Sequence, residues 1–271
     1  MSKSNAITFK SQPFKTRLKT MLSVDFRRMF TMKFIYIMLG IAFVMPILIL
    51  VMTSMMDGTT NVNPQTGVET TIEGFKNVWQ IIGTVSGESS GMAMDLTIMC
   101  NINLLYFIVA VVVCLFVADD FRSGYAKNLF TVRSKKNDYV ISKSVVLFVA
   151  GALMLVCFFI GSMIGGAIAG ISFDAGSATA GNIVMCMISK ILLMAVFVPL
   201  YLVMSVFAKQ KSWLSILLSF GSSMLMFTMI PMITPLNSTF FNVVLCAAGG
   251  AMFSIGLGFA SNAILKKSSL V

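Results

Sequence analysis

The stretch that divides the apolar part of the chain runs from Asp119 to Lys143 and reads DDFRSGYAKNLFTVRSKKNDYVISK. Long apolar runs adjoin both of its ends. Loops rich in lysine and arginine stay on the cytoplasmic side of a membrane. This stretch contains six such residues: Arg122, Lys127, Arg133, Lys135, Lys136 and Lys143. We therefore predict that it is a cytoplasmic loop between two membrane-spanning helices.

Part of this loop has the pattern of a short amphipathic helix. A glycine break at Gly124 is followed by apolar residues at roughly helical spacing, namely Tyr125, Leu129, Phe130 and Val132. Such a helix can lie at the membrane surface or present its apolar side to a protein below. The simpler alternative is a solvated basic loop that only obeys the orientation rule.

The composition is typical of an integral membrane protein. Of the 271 residues, 57% are hydrophobic and only 11% are charged, whereas a soluble domain has about 25% charged residues. The net charge of +10 does not indicate nucleic-acid binding, because the basic residues flank apolar runs instead of forming one patch with interleaved aromatic residues. Attraction to an anionic membrane explains them better, so we predict membrane lipid and not nucleic acid as a partner.

The apolar runs predict an all-α membrane protein with six transmembrane helices. These spans cover about residues 34–54, 96–118, 144–171, 183–208, 213–233 and 240–265 of a transmembrane domain at 34–271. Residues 1–33 form a basic segment whose apolar residues recur at three- and four-residue steps from Phe14 onward. This periodicity predicts an amphipathic helix on the cytoplasmic leaflet, and a plain charged anchor is the alternative.

The basic residues also predict the orientation. Eight lie in residues 1–33, six in the stretch from Asp119 to Lys143, two in 209–211 and two near the C-terminal end. Only Lys76 and Lys190 lie elsewhere. Six spans with both ends in the cytoplasm place all four of these basic groups on the same side, as the positive-inside rule requires. Within the third span, Gly161 with Gly165 and Gly166 with Gly170 form two Gly-x-x-x-Gly steps, which predict close packing against another helix.

Three polar residues are candidates for a translocation path. Asn101 and Asn103 lie in the first turns of the predicted second span, where they either pair with other helices or line a wet vestibule. Lys190 lies inside the fourth predicted span, where a charge costs at least ~2.5–3.5 kcal/mol. Its distance from the outer end of that span favours a side chain that extends to the interface over one that contacts a substrate.

Motifs of catalysis and metal binding are missing from the sequence. There is no histidine, and the five cysteines lie in apolar runs without a Cys-x-x-Cys pair. There is no Gly-x-x-x-x-Gly-Lys-Ser/Thr phosphate loop. No aspartate or glutamate lies deep in a predicted span, which disfavours ion coupling. We predict no enzyme activity, no metal and no bound cofactor, so the energy for any transport must come from a partner.

The central loop resembles that of the small permease subunits of ABC-2-type ATP-binding-cassette exporters. The similarity rests on an acidic pair followed by a glycine and basic residues at comparable spacing: Asp119, Asp120, Arg122, Gly124, Lys127 with Leu129, Arg133 and Lys143. In that family an acidic residue, a glycine, a basic residue and a lysine at such spacing belong to a coupling helix that contacts the ATPase subunit. We predict that these residues and Tyr125 form the contact here. The family usually has glutamate at the acidic position, so the pattern leaves open whether Asp119 or Asp120 corresponds to it.

The resemblance implies a bacterial plasma-membrane exporter driven by a separate ATPase. Two permease chains, identical or homologous, would sit over two ATPase subunits that bind Mg-ATP. A cleft between the first, second and fifth spans of the two chains would release an amphipathic cargo, such as an antimicrobial peptide, a lantibiotic or a drug-like compound. Two alternatives are a membrane assembly or sensing protein that docks a cytoplasmic partner without transport, and an ion-coupled carrier.

Overall fold

A computed structural model of the protein describes residues 13–62, 69–71, 74–83, 100–132, 136–175, 178–227 and 229–267. The helices of the described residues are α1 (Phe14–Thr31), α2 (Lys33–Met56), α3 (Leu104–Arg122), α4 (Tyr125–Val132), α5 (Lys136–Ala169), α6 (Ala180–Ala208), α7 (Ser212–Phe227), α8 (Ile230–Ile233) and α9 (Phe240–Lys267). Strands β1 (Thr60–Val62) and β2 (Glu69–Thr71) form a small antiparallel hairpin, and a 3₁₀ turn covers Val78–Ile81. Apart from this small hairpin, the regular structure of the described residues is helical, which confirms the predicted helical membrane fold.

Five helices of the described residues are long and apolar enough to cross a membrane, namely α2, α3, α5, α6 and α9. The fifth predicted span, 213–233, is not one rod. It divides into α7, which ends at Phe227, and α8, which begins at Ile230 with Pro231 in its first turn. The 16 residues of α7 rise about 24 Å, which is less than the roughly 30 Å of a bilayer core. The count of six spans therefore stays a prediction.

The second and third predicted spans differ from the observed helices at the ends that adjoin the central stretch. Helix α3 continues through Asp120 to Arg122, and α5 begins at Lys136, well before residue 144. The stretch from Asp119 to Lys143 is therefore mostly helical, with α4 between the ends of two long helices. At the other end of α3, the first helical residue is Leu104, and the predicted start at residue 96 lies outside the described residues.

Helices α2 and α5 pack closely because glycines of α5 face the backbone of α2. A Cβ atom at Gly161 would overlap the carbonyl oxygen of Phe43 and lie 2.9 Å from Pro46 Cγ. A Cβ atom at Gly165 would lie 2.8 Å from Ile47 Cα. Small residues let membrane helices approach in this way, so the close packing predicted from the glycine spacing is confirmed.

Replacing Gly161 by leucine should destabilise the protein by about 1–3 kcal/mol, because the side chain has no space against the α2 backbone. The matched control is Gly221→Leu on α7, where an added Cβ meets open space. We expect a lower midpoint of thermal unfolding in detergent for Gly161→Leu and little change for the control. Equal midpoints for the two variants would contradict the packing of α2 on α5.

Helices α6 and α9 meet at a proline in α6. Pro199 cannot donate a hydrogen bond to the carbonyl of Ala195, one turn earlier. The hydroxyl of Ser254 on α9 donates to this carbonyl oxygen at 2.6 Å. A polar side chain of a neighbouring helix thus replaces the backbone bond that the proline removes, as membrane helices require.

The basic segments of the chain meet at one end of the helix bundle. Arg122, at the end of α3, donates at 3.2 Å to the carbonyl of Gln210 in the loop between α6 and α7, and at 2.6 Å to the hydroxyl of Ser212 at the start of α7. Lys136 Nζ donates at 2.6 Å to the Leu265 carbonyl near the end of α9. The central stretch, the second loop and the end of α9 therefore share one end, in keeping with the charge pattern. The side of the membrane that this end faces remains a prediction.

Candidate functional site

A buried cluster of charged residues lies where α1, α3 and α5 meet. Lys143 Nζ is 2.9 Å from Asp25 Oδ1 and 2.7 Å from Asp120 Oδ2, and all three side chains are fully buried. Arg28 Nη1 is 2.6 Å from Asp120 Oδ1. We call Asp25, Arg28, Asp120 and Lys143 the charge network. It joins the N-terminal helix to the two long helices that flank the central stretch.

Neutral hydrogen-bond donors complete the charge network. The Tyr139 hydroxyl donates to Asp120 Oδ2 at 2.8 Å, and the Ser142 hydroxyl donates to Asp25 Oδ2 at 2.5 Å. Each carboxylate therefore accepts a hydrogen bond at both of its oxygens, and two negative charges balance two positive ones. Buried charges are tolerated when they are paired and hydrogen-bonded in this way, and removing one partner is strongly destabilising.

Aromatic rings surround the cations of the charge network. Lys143 Nζ is 4.1 Å from the centroid of the Phe116 ring, and Arg28 Cζ is 4.1 Å from that of Tyr125, both within cation–π range. Burial lowers the pKa of Arg28, but the attraction and hydrogen bond of Asp120, together with Tyr125 and Asp25, outweigh burial and raise this pKa. Burial raises the pKa of Tyr125, as do Asp25 and Asp120. Tyr125 is thus a neutral ring that holds the start of α4 against Arg28.

The two aspartates that the sequence left as alternatives have different surroundings. Asp120 is fully buried at the centre of the charge network, whereas the side chain of Asp119 is 46% exposed and lies 3.3 Å from Arg28 Nη2. Asp120 therefore fixes helices to one another, and Asp119 is accessible from outside. Asp120 and Lys143 were predicted to contact a partner. Both side chains are fully buried, and this burial disfavours a direct contact.

The remaining predicted coupling residues lie around α4. Gly124 has a φ of 72°, a left-handed conformation that glycine adopts without strain, and it turns the chain from α3 into α4. Lys127 is exposed and Leu129 is half-buried against the core. Arg122 holds the second loop, as described above. Arg133 lies outside the described residues.

Two members of the charge network, Asp25 and Arg28, were missed by sequence reasoning. The sequence did contain a signal for Asp25, because it is the one acidic residue in residues 1–33, which also contain eight basic residues. It also lies on the face of α1 that carries Met21 and Met29, all three of which are buried. A lone carboxylate at helical spacing with apolar residues indicates a buried cationic partner. No comparable signal distinguished Arg28 from its basic neighbours.

Lys190 does not extend to the interface, so that expectation was wrong. Its side chain is fully buried, with Nζ 3.0 Å from Asn103 Oδ1 and 2.9 Å from Thr234 Oγ1. The backbone amide of Asn103 donates to Asn101 Oδ1 at 3.0 Å, and both asparagines are buried. Lys190 and Asn103 therefore connect α6, the start of α3 and the segment after α8. This arrangement favours helix pairing over a wet vestibule for the two asparagines.

The described residues hold no group of three or more histidine, cysteine, aspartate or glutamate side chains that could bind a metal. The charge network joins α1, α3 and α5, and the partly exposed short helix α4 contacts it through Tyr125. No curated protein and no solved structure matches the chain. A family model described as ABC-2 family transporter protein does match, over residues 26–225. The chain belongs to the ABC-2 transporter family.

Membership in the ABC-2 family makes this chain a multi-pass membrane permease of an ABC transporter. Permeases of this family work with an ABC ATPase partner, and the ABC-2 match begins within α1 and ends within α7. It therefore contains α4 and three members of the charge network: Arg28, Asp120 and Lys143. The resemblance seen in the central stretch is confirmed at the level of the family.

Proposed function

We propose that the protein is half of the membrane domain of an ABC exporter, paired with a second permease chain that is identical or homologous. Two copies of a separate ATPase bind and hydrolyse Mg-ATP, and the permease moves an amphipathic cargo out of the cell. An antimicrobial peptide, a lantibiotic or a drug-like compound has the required character. The observation that carries the proposal is α4, an exposed short helix joined directly to a buried charge network between three long helices.

In this proposal α4 is the coupling helix. Its eight residues lie between the ends of α3 and α5, and Lys127 and Asn128 are exposed. The opposite side of α4 is attached to the bundle, because Ala126 is buried and the Phe130 ring packs edge-on against Tyr139 at 5.4 Å. An amphipathic helix of this kind can receive a partner on its polar side while its apolar side transmits the movement.

The charge network supports transmission of force from α4 to the spans. Tyr125 of α4 contacts Arg28 of α1, which is paired with Asp120 of α3, and Asp120 is paired with Lys143 of α5. A displacement of α4 therefore moves the ends of three helices together. Helix α5 then carries α2 with it, since their backbones touch at Gly161 and Gly165.

The cargo path in this proposal is the apolar surface between α2, α3 and α7. One groove of ≈ 560 Å³ lies along α2 against Ile108 of α3, and a second of ≈ 230 Å³ joins α2 and α3 to Phe220 of α7. The side chains that line both grooves are apolar: Met38, Ile41, Val44, Leu48, Phe107 and Val111 are examples. An apolar groove that a second permease chain closes on one side suits an amphipathic cargo better than an ion.

The test is purification of the tagged chain from its native host in mild detergent, followed by ATP turnover and transport in proteoliposomes. We expect an ABC ATPase to co-purify and its turnover to depend on the permease. Charge reversal at the exposed Lys127 (Lys127→Glu) should weaken this association, because an interface charge then repels its partner. The control is Lys76→Glu, before the 3₁₀ turn and away from α4, which should leave the association unchanged.

Three outcomes would contradict the proposal. An ATPase that binds but drives no transport would favour the assembly or sensing alternative. Transport driven by an ion gradient in vesicles without ATP would favour a secondary carrier. Equal ATPase association in Lys127→Glu and Lys76→Glu would show that the contact with the ATPase does not lie on α4.

A further inference from the structure

A groove between α5, α6 and α9 lies on the outside of the bundle, away from the surface assigned to the cargo. It has a volume of ≈ 470 Å³, within the range of about 300–1,000 Å³ that is typical of sites for small ligands. Its apolar walls include Val140, Val145, Phe148, Val198, Ile255 and Phe259. Val145, Ile255 and Phe259 are exposed to 40%, 62% and 68%, so the groove is open to the surrounding bilayer.

The groove has the length of one leaflet of the bilayer. Along α5 it extends from Asn137 to Phe148, a rise of about 16 Å at 1.5 Å per residue. Half of a hydrocarbon core of roughly 30 Å is about 15 Å. A single acyl chain that enters at Asn137 can therefore follow α5 along the groove as far as Phe148.

The end of the groove at Asn137 is basic. Lys136 is the next residue, and its Nζ donates to the Leu265 carbonyl, which brings the end of α9 beside the start of α5. Lys266 follows the groove residue Phe259 at a spacing of seven, so it lies on the same side of α9. The nearby carboxylate of Asp138 is neutralised by Arg17 at 2.9 Å. The mouth of the groove thus keeps an excess of positive charge.

We propose that this groove binds an anionic phospholipid, with an acyl chain along α5 and the headgroup phosphate between Lys136 and Lys266. Lys136 also lies 5.7 Å from the centroid of the Phe130 ring of α4, so the headgroup adjoins the short helix at the site described above. The positive mouth selects an anionic headgroup, and the apolar walls select a lipid over free phosphate. A neutral lipid fits the walls and lacks the attraction at the mouth.

The test is native mass spectrometry of the purified chain in a detergent that contains equal amounts of phosphatidylglycerol and phosphatidylcholine. The wild-type protein should retain phosphatidylglycerol in preference to phosphatidylcholine. Lys266→Glu should lower the ratio of the two lipids about fivefold or more, since one lysine near an anionic lipid accounts for about a fivefold change. Lys211→Glu makes the same charge change in the loop between α6 and α7, and it should leave the ratio as in the wild type.

A second pair of variants tests the groove itself. Gly258 lines the groove and Gly256 does not, and a Cβ atom at either meets open space. Gly258→Phe should fill the groove and reduce retention of both lipids, whereas Gly256→Phe should retain them as the wild type does. Equal retention in the two variants would overturn the proposal. It would also be overturned if Gly258→Phe converted a dimer into a monomer with lipid retention unchanged, because a second copy of the chain would then occupy the groove.

Discussion

Replacing Lys143 by methionine should lower the free energy of unfolding by ~3–5 kcal/mol, the cost of removing one partner from a buried ion pair. Methionine keeps the apolar part of the side chain but leaves Asp25 without its cation and Asp120 with Arg28 alone. Both carboxylates stay fully buried. We expect a large fall in the midpoint of thermal unfolding in detergent, with α1 released from α3 and α5, which limited proteolysis of the N-terminal segment would detect.

Lys190→Met is the matched control for Lys143→Met. Both lysines are fully buried in the same helix bundle, but the described partners of Lys190 Nζ are the neutral groups of Asn103 and Thr234. Loss of hydrogen bonds to neutral groups costs about 1–3 kcal/mol, so this variant should be less destabilised than Lys143→Met. If the two variants unfold at the same temperature, pairing of charge is not what makes Lys143 important.

A double variant separates the charge effect from lost packing. Asp25→Asn removes the negative charge that Lys143→Met leaves behind, while Ser142 can still bond the amide. In the double variant Asp120 and Arg28 remain as one balanced pair. We expect part of the stability lost in Lys143→Met to return, because residues of one buried network do not contribute additively. Additive losses would show that Asp25 and Lys143 act independently.

The sequence predicted the features that depend on local pattern. The helix from Phe14 and the helix at Tyr125–Val132 follow from apolar periodicity, and the contact of Gly161 with α2 follows from glycine spacing. Each of these signals lies within a few residues of the feature that it predicts. The fold class required no more than the length and hydrophobicity of the apolar runs.

The features that could not be predicted depend on contacts between distant segments. Asp25 and Lys143 lie 118 positions apart in the chain, and nothing in a single sequence says that these two charges meet. The same limit explains the error at Lys190. The position of Lys190 in its span suggested that the side chain could reach the interface. A hydrogen bond to Thr234, 44 positions away in the chain, instead holds the side chain inside the bundle. Whether a charged side chain is buried depends on its partners, and its position along a helix does not reveal those partners.

Burial also changes what the central stretch does in the mechanism. Asp120 and Lys143 were expected among residues that meet an ATPase, yet both are inside the bundle. Under the proposed function, the exposed residues Asp119 and Lys127 would form the contact, and the buried pair would carry the displacement to α1, α3 and α5. Under the proposed function, the connection between α3 and α4 is then the point at which movement of the partner enters the permease.

Replacing Gly124 by proline should disrupt coupling, so that permease-dependent ATP turnover and export both fall while the protein still inserts into the membrane. Gly124 has a φ of 72°, and proline fixes φ near −65°, so the turn from α3 into α4 cannot form as it does here. Tyr125 would leave Arg28, and Lys127 would no longer face its partner. Loss of one interface hot spot of about 2 kcal/mol weakens association by more than tenfold, so we expect permease-dependent ATP turnover and export to fall by at least that factor.

Gly170→Pro is the control for Gly124→Pro. Gly170 follows the end of α5, at the opposite end of that helix from α4. It has a φ of 68°, and an added Cβ atom meets open space there, as at Gly124. The two substitutions therefore disturb the same kind of turn at opposite ends of the bundle, and their effects on thermal unfolding should be similar. If coupling runs through α4, only Gly124→Pro abolishes permease-dependent ATP turnover. A loss in both variants would show that turnover responds to general damage of the bundle, and retained turnover in Gly124→Pro would place the ATPase contact on another segment.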